Sequence, residues 1–136
     1  MPTPAYEDIS VLVVDDEMLI RQLLKQLLRQ AGFSRIGEAE DVPQAWKAVL
    51  TQQPDVIVCD IGMEPQSGMD FLRQLKASPR PEIRNIPLIF LTVQSDQNVV
   101  VEAISNGAAG YLLKPIAPKS LLTRIDQALG LPPHRA

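Results

Sequence analysis

The feature that most constrains the fold of this chain is a regular alternation between short apolar runs and amphipathic helical patterns. The first run, residues 9–14, is nearly continuous and rich in β-branched side chains. Such a run is typical of a strand that is buried on both faces of a parallel sheet. Apolar residues then recur at helical spacing from Ile20 to Ala31, and Gly32 is suited to end that helix. Residues 9–32 therefore predict one strand followed by one helix.

Four further strand–helix units follow the first. The predicted strands cover residues 35–39, 55–59, 87–91 and 109–113. The second helical pattern starts at the N-cap Asp41. The third follows a loop that contains Gly62, Pro65 and Gly68, and Pro79 and Pro81 end it. The fourth covers residues 96–105, and the last includes Leu121 and ends at Gly130. Five such units predict a doubly wound α/β fold, in which helices cover both faces of a five-stranded parallel sheet. We expect one domain over residues 8–130, with short tails at 1–7 and 131–136.

Composition excludes several classes of function. Hydrophobic residues make up 46% of the chain and charged residues 21%, which is typical of a folded globular domain. With Cys59 as the single cysteine and His134 as the single histidine, an internal disulfide, a cysteine-rich zinc site and a histidine-based triad are not expected. The net charge of −3 argues against direct nucleic-acid binding. No apolar run reaches the roughly 18 residues that span a bilayer, so we expect a cytoplasmic protein without membrane contact.

Polar side chains follow four of the five predicted strands. Asp15 and Asp16 follow the first strand, Asp60 the third, Thr92 the fourth and Lys114 the fifth. Ligands of such sheets bind at the carboxyl ends of the strands, so we expect these side chains to share one site. Neighbouring carboxylates repel one another and favour a hard cation, and oxygen ligands are those that Mg²⁺ prefers. A carboxylate beside Mg²⁺, a hydroxyl and an ammonium is arranged for phosphoryl transfer.

Each of these residues also has a simpler interpretation. Asp15 or Asp16 could cap the first helix, and Asp60 could open a turn. Thr92 is a common strand residue, and Lys114 could simply be an exposed charge. Only their combined occurrence at successive strand ends favours a functional site.

Two further groups of charged residues are assigned no role in that site. Arg21, Lys25 and Arg29 repeat every four residues along the first helix, which is the pattern of a solvated helix face. Glu38 and Glu40 follow or end the second strand, which we expect at the edge of the sheet.

In this order, the aspartates, Thr92 and the Lys114-Pro115 pair resemble the receiver domain of bacterial two-component response regulators, the CheY-like superfamily. Supporting similarity lies in residues 11–17, 58–63, 68–72 and 107–116. The resemblance covers residues 8–130 and implies a flavodoxin-like sheet with strand order 2-1-3-4-5.

The resemblance implies specific roles at the metal and phosphorylation site. Asp60 matches the phosphoacceptor, and Asp16 matches the carboxylate that binds Mg²⁺ directly. Asp15 resembles the partner that holds the metal through water, and Gly62 stands where a backbone carbonyl is a ligand. The implied cofactor is Mg²⁺, for which Mn²⁺ can substitute.

The resemblance also implies a conformational switch. Thr92 matches the hydroxyl that closes on the phosphoryl group, and Lys114 matches the amine that pairs with it. Tyr111 matches the aromatic residue that changes between outward and inward positions. The Lys114-Pro115 bond is expected to be cis, an isomer that only X–Pro bonds adopt at low cost.

Two positions depart from the family pattern. The family loop usually has methionine followed directly by proline, whereas Glu64 separates Met63 from Pro65 here. We expect Glu64 to add a fourth carboxylate near the metal. The residue after the switch threonine is usually small, whereas here it is Val93, which we expect to narrow access to the phosphoryl group.

The function implied by the resemblance is that of a phosphoacceptor rather than an enzyme. The chain would take a phosphoryl group from a histidine kinase or a histidine phosphotransfer protein, and would lose it slowly by autodephosphorylation. It would signal to a protein partner through the face of the fourth predicted helix, the fifth strand and the last helix, with dimerisation on activation as an option. Val99, Val100 and Val101 lie in that helix, and one helical face cannot bury all three.

Two alternatives belong to other classes of function. A pseudo-receiver would bind partners without phosphorylation, but its usual signature, a missing acid or lysine, is not found here. A Mg²⁺-dependent hydrolase with an aspartyl nucleophile commonly has a second aspartate two positions later, where this chain has Gly62. The sequence also contains no Gly-x-x-x-x-Gly-Lys phosphate loop.

Overall fold

The fold is built on a single five-stranded sheet in which every strand pairs in parallel with its neighbours. The computed structural model describes residues 6–93 and 97–131. The strands are β1 Ser10–Val14, β2 Arg35–Ala39, β3 Val56–Asp60, β4 Leu88–Thr92 and β5 Gly110–Leu113. Their order, β2-β1-β3-β4-β5, confirms the predicted flavodoxin-like topology. The predicted helix start at Asp96 and the single histidine His134 lie outside the described residues.

The helices connect successive strands and cover both faces of the sheet. They are α1 Met18–Ala31, α2 Val42–Gln52, α3 Gly68–Lys76, α4 Pro81–Arg84, α5 Gln97–Ser105 and α6 Pro118–Leu129. The short helix α4 differs from the prediction, in which Pro79 and Pro81 end the preceding helix and start no new one. Proline is well tolerated in the first turn of a helix, where its missing N–H has no partner to lose, and α4 begins in this way at Pro81. The fourth predicted helix is thus α5, and the last is α6.

Two hydrophobic clusters lie on opposite faces of the sheet. Leu12 and Val14 of β1 belong to the cluster under α2, α3 and α5, whereas Val11 and Val13 belong to the one under α1 and α6. Alternate side chains of a strand point to opposite faces, so a strand that is covered on both sides must be apolar throughout. The continuous apolar runs of the sequence have this origin. Among the described residues, no helix is both long enough and apolar enough to span a bilayer.

The N-terminal segment packs into the second cluster. Residues Tyr6–Asp8 form one turn of 3₁₀ helix, and the buried ring of Tyr6 stacks on Phe33 with a centroid distance of 4.2 Å. The Tyr6 hydroxyl donates a 2.6 Å hydrogen bond to Oδ1 of Asp126 in α6. Burial and this hydrogen bond raise the pKa of Tyr6 above its ordinary value. Tyr6, which was assigned to a tail of residues 1–7, therefore belongs to the core.

Candidate functional site

Three carboxylates meet at the carboxyl edge of the sheet. Asp15, Asp16 and Asp60 each contribute one oxygen, and these oxygens all lie within 4.8 Å of one another. Asp15 is buried, Asp60 is half-buried and Asp16 is exposed, so the cluster leads from the interior to solvent. The strand order explains the meeting, because β1 and β3 are direct neighbours in the sheet. This is also the point where the winding of the sheet reverses, which is the general ligand position in such folds.

Asp15 is held at both its backbone and its side chain. Its N–H donates to the carbonyl of Ala39 at 3.1 Å. Its Oδ1 accepts from the N–H of Glu17 at 2.8 Å, and its Oδ2 accepts from Nζ of Lys114 at 3.0 Å. The N-cap of α1 is Glu17, and neither Asp15 nor Asp16 occupies that position. The capping interpretation of the aspartate pair is therefore wrong.

Lys114 supplies the positive charge of the site. Its Nζ lies 3.0 Å from Asp15 Oδ2 and 3.6 Å from Asp60 Oδ1, and its side chain is only 11% exposed. Burial alone lowers the pKa of Lys114, but the hydrogen bond to Asp15 and the charge of Asp60 outweigh it, so the pKa lies above its ordinary value. Lys114 is therefore an ammonium at neutral pH.

Asp60, the last residue of β3, has a pKa above the ordinary aspartate value. The largest cause is burial, and the charges of Asp15 and Asp16 act in the same direction. Lys114 and the N–H of Gly62, which donates to Asp60 Oδ1 at 3.3 Å, oppose this effect. The pKa of Asp60 is thus raised mainly by burial, and to a smaller extent by the two carboxylates that would also attract a cation.

A cavity of about 510 Å³ opens beside these carboxylates. Asp60, Gly62, Thr92, Val93 and Lys114 line part of it. Thr92 ends β4 and is buried, whereas Val93 directly after it is 75% exposed. The edge of the sheet therefore brings a hydroxyl and an ammonium to the same space as the Asp60 carboxylate.

The donor set fits a hard divalent cation. The cluster offers three carboxylate oxygens, and among the described residues no histidine or cysteine belongs to it. Cys59 precedes Asp60 but is fully buried, and burial together with the charges of Asp60 and Asp15 raises the pKa of its thiol well above the ordinary value. Oxygen-only ligands with room for water suit Mg²⁺ better than softer metals.

The loop after β3 departs from the expectation for Glu64. Met63 is buried in the core, whereas Glu64 is exposed and does not belong to the carboxylate cluster. The prediction that Glu64 adds a fourth carboxylate to the site is therefore wrong. The Glu64–Pro65 and Lys114–Pro115 peptide bonds are both cis.

Tyr111 lies on the edge strand β5, between α5 and α6. Its half-buried ring stands 5.6 Å from the guanidinium carbon of Arg124. On its other side, a groove of about 350 Å³ is lined by Tyr111, Gln97, Val100, Val101 and Leu113. Val101 is 62% exposed, which confirms that the helix cannot bury three consecutive valines.

The sequence matches a family model described as the response regulator receiver domain over residues 11–126. The chain belongs to this family. Receiver domains are phosphorylated, are not enzymes in the usual sense, and interact with histidine kinases and downstream effectors.

Two curated relatives illustrate the range of receiver-containing proteins. The chain is 30% identical to the chemotaxis protein CheY of Pseudomonas aeruginosa over 118 residues, which cover 87% of this chain and 94% of that protein. It is 33% identical to the phosphate regulon transcriptional regulatory protein PhoB of the same organism over 121 residues, covering 88% of this chain but 51% of PhoB. The receiver domain thus matches nearly all of one relative and half of the other.

Solved structures show the same fold. A putative response regulator from Chloroflexus aurantiacus superimposes with a TM-score of 0.83 at 26% identity, covering 90% of this chain and 98% of that one. The signal receiver domain of a histidine kinase from Syntrophus aciditrophicus has a TM-score of 0.78 at 28% identity, covering 89% of each chain.

Three residues near the Asp15–Asp16–Asp60 cluster have no role in the predicted site, namely Arg21, Lys25 and Glu38. Arg21 is buried at 9% exposure, and its Nε donates to Glu38 Oε1 at 3.0 Å. Lys25 also pairs with Glu38. The solvated-face interpretation is thus wrong for Arg21, whereas Arg29 is exposed as predicted. The only local signal was the equal spacing of the basic residues, and it does not reveal that Glu38 approaches them.

Gly68 was also missed as a residue that shapes the receiver site. A Cβ at this position would lie 2.3 Å from the carbonyl oxygen of Asp60 and 2.9 Å from the ring of Phe90. The N–H of Gly68 donates to the carbonyl of Ile61 at 3.1 Å. The missing side chain therefore lets the start of α3 approach the end of β3 closely.

Proposed function

We propose that this receiver domain accepts a phosphoryl group on Asp60 from the phosphohistidine of a histidine kinase or a histidine phosphotransfer protein. The observation that carries the proposal is the position of Asp60. It ends the central strand β3, lies within 4.8 Å of two further carboxylates, and has Nζ of Lys114 at 3.6 Å. A half-buried carboxylate between a cation-binding cluster and an ammonium is suited to attack a phosphoryl group.

In this proposal Asp15, Asp16, Asp60 and the carbonyl oxygen of Gly62 hold Mg²⁺, with Mn²⁺ as a substitute. The oxygen-only donor set and its access to solvent support this assignment. When bound, the metal neutralises charge on the phosphoryl oxygens and orients them for in-line transfer.

The residues of the chain then have distinct roles. A carboxylate oxygen of Asp60 forms a bond to phosphorus while the bond from phosphorus to the donor's imidazole nitrogen breaks, and that nitrogen keeps the electron pair. The Lys114 ammonium balances negative charge on the transferred group. The Thr92 hydroxyl, at the neighbouring strand end, donates to a phosphoryl oxygen.

We further propose that the signal leaves through the face formed by α5, β5 and α6, which a downstream protein binds and through which activated copies can dimerise. If Thr92 moves toward the phosphoryl group, the Tyr111 ring can follow into the space it leaves. That movement changes the groove beside Val100 and Val101. A local change of charge thereby biases a surface with two arrangements.

The test is phosphorylation by a small-molecule donor. Incubation with acetyl phosphate and Mg²⁺ should add one phosphoryl group to the intact chain by mass spectrometry, and EDTA or Asp60→Asn should prevent it. Asp8→Asn is the matched control, because Asp8 is an exposed aspartate in the 3₁₀ turn. Undiminished labelling of Asp60→Asn would overturn the assignment. Absence of labelling in the wild type, from acetyl phosphate and phosphohistidine donors alike, would favour the phosphorylation-independent alternative.

A further inference from the structure

A buried arginine lies directly behind the carboxylate cluster. Arg21 is the fourth residue of α1, and its guanidinium makes two directed hydrogen bonds. Nη1 donates to the carbonyl oxygen of Asp15 at 2.7 Å, and Nε donates to Oε1 of Glu38 at 3.0 Å. The hydrogen bond to Asp15 is buried. Arginine carries several donors in a rigid planar fork, so one side chain can hold two acceptors in a fixed relation.

The accepting carbonyl is part of the peptide unit that joins Asp15 to Asp16. Fixing that oxygen fixes the plane of the unit from which the next residue projects. The N–H of Asp15 is bonded to Ala39 of β2 at 3.1 Å, so the backbone at Asp15 is held from both sides. Arg21 therefore constrains the direction in which the backbone of Asp16, the exposed member of the cluster, continues from the end of β1.

Glu38 holds the arginine in place. It lies on β2 opposite Val13 of β1, and it pairs with Lys25 as well as with Arg21. The hydrogen bond from Lys25 contributes most to a pKa of Glu38 below its ordinary value, despite partial burial. The carboxylate consequently stays ionised at neutral pH and can orient the guanidinium.

We propose that Arg21, oriented by Glu38, is a positioning residue that sets the affinity of the Asp15–Asp16–Asp60 cluster for a divalent cation. This assignment rests on the proposed function, since it concerns the same site. Groups that orient metal ligands from behind typically change metal affinity by about 10- to 100-fold when they are removed.

If Arg21 acted only through its charge, its removal would change the affinity for Mg²⁺ in the opposite direction. A guanidinium near a cation site repels the cation, so its removal should tighten binding if Arg21 acted only through its charge. Removal should weaken binding if Arg21 acts by holding the Asp15–Asp16 peptide unit. The direction of the change therefore separates positioning from electrostatics.

The experiment measures the dissociation constant of Mg²⁺ for the full chain by isothermal titration calorimetry. We expect Arg21→Gln to weaken binding by about tenfold or more. Arg21→Lys should weaken it similarly, because a single ammonium keeps the charge but cannot serve both acceptors. Circular dichroism of each variant without metal shows whether it is folded.

Glu38→Gln tests the same idea without changing the buried arginine. Its control is Glu40→Gln, which removes an equal charge next to the end of β2, where Glu40 is exposed and pairs with Gln44. Glu38→Gln should weaken Mg²⁺ binding more than Glu40→Gln does. If Arg21→Gln does not fold, this comparison decides the proposal.

The outcomes separate this assignment from the proposed function. Tighter or unchanged Mg²⁺ binding by folded Arg21→Gln, or equal effects of Glu38→Gln and Glu40→Gln, would overturn the positioning role alone, provided that the wild type binds Mg²⁺ and is phosphorylated. A wild-type chain that binds no Mg²⁺ would overturn both.

Discussion

Nζ of Lys114 lies 3.6 Å from Oδ1 of Asp60, although Asp60 ends β3, Lys114 follows β5, and β4 lies between these two strands. The same ammonium is closer to Asp15, at 3.0 Å. One positive charge is thus shared between the two inner carboxylates of a cluster of three. Lys114 neutralises part of the charge of Asp15 and of Asp60. The negative charge of Asp16, the exposed member, is therefore the least neutralised of the three.

Replacement of Asp16 should stabilise the metal-free protein. Charges about 4 Å apart repel by roughly 1 kcal/mol in water and more near a protein surface, and exposure keeps the effect near the lower value. Asp16→Asn should therefore raise the melting temperature without Mg²⁺ by a few degrees while weakening Mg²⁺ binding. Thermal unfolding with and without Mg²⁺ tests this, with Asp8→Asn as a control for loss of an exposed charge. A lower metal-free melting temperature for Asp16→Asn would contradict the repulsion argument.

Val93 should slow loss of the phosphoryl group. It is 75% exposed, follows Thr92 and lines the same cavity as Asp60. A β-branched side chain is stiff, and hydrolysis needs a water in line with phosphorus. Val93→Ala should shorten the lifetime of the phosphorylated protein, followed by intact mass, and leave Mg²⁺ affinity unchanged. Val101→Ala removes an exposed valine of α5 and should have no effect. An unchanged or longer lifetime for Val93→Ala would show that Val93 does not restrict access.

Tyr111 should couple the phosphorylation site to the α5 surface. Beryllofluoride, which mimics a phosphoryl group on Asp60, should shift amide resonances across residues 92–115 in the wild type. Tyr111→Ala should keep the shifts next to Asp60 but lose most of those in α5, because the ring that lines the groove beside α5 is absent. It should still be phosphorylated, and a downstream partner should gain little affinity on activation. Tyr111→Phe keeps the ring and should behave as the wild type. Full α5 shifts in Tyr111→Ala would mean that another residue transmits the signal.

Substitution by alanine should change the stability differently at two glycines, Gly62 in the loop after β3 and Gly68 at the start of α3. A Cβ on Gly68 would lie 2.3 Å from the Asp60 carbonyl oxygen, whereas one on Gly62 meets nothing within 4 Å. Gly68→Ala should destabilise the fold by about 1–3 kcal/mol, since the backbone must shift, and should impair phosphorylation of Asp60. Gly62→Ala should stay within about 0.5 kcal/mol of the wild type. Urea unfolding measures both. Equal stabilities would refute the close approach between α3 and β3.

The Tyr6–Asp126 hydrogen bond should make stability depend on alkaline pH. The pKa of Tyr6 is raised in the folded state, so the protonated hydroxyl stabilises the folded state relative to the unfolded state. That contribution is complete below the ordinary tyrosine pKa of about 10 and declines as pH rises toward the folded-state value. Tyr6→Phe should be less stable than the wild type by about 1–3 kcal/mol at pH 7, because it leaves a carboxylate oxygen of Asp126 without its donor.

The difference between wild type and Tyr6→Phe should shrink by about 1 kcal/mol between pH 10 and pH 11 in urea unfolding experiments. Tyr111→Phe removes the other tyrosine hydroxyl and provides the control. A difference for Tyr6→Phe that is the same at pH 7 and pH 11 would contradict the raised pKa.

Local patterns predicted the strands to within one residue at each end. The apolar runs of β1, β3 and β4 are continuous because both faces of these strands are buried. Such a run can be recognised from consecutive residues of the sequence alone. Burial of the edge strand β2 is incomplete, yet its predicted bounds, residues 35–39, agree with the structure. The helix α4 differs from the prediction because its first residue, Pro81, resembles a helix stop, and because a single turn is too short for periodicity to correct that interpretation.

The sequence by itself determined the alternating fold and the residues that end its strands. Parallel strands bring their carboxyl ends to one edge, so Asp15, Asp60 and Lys114 had to come near one another once the strands were identified. Only the tertiary structure decided that Arg21 is buried against Glu38, that Glu64 points to solvent, and that Tyr6 reaches Asp126. Periodicity reports which face of an element is apolar, but it carries no information about which charged or polar groups from distant segments meet there. Those pairings depend on how the helices lie against the sheet, which is a property of the packed chain.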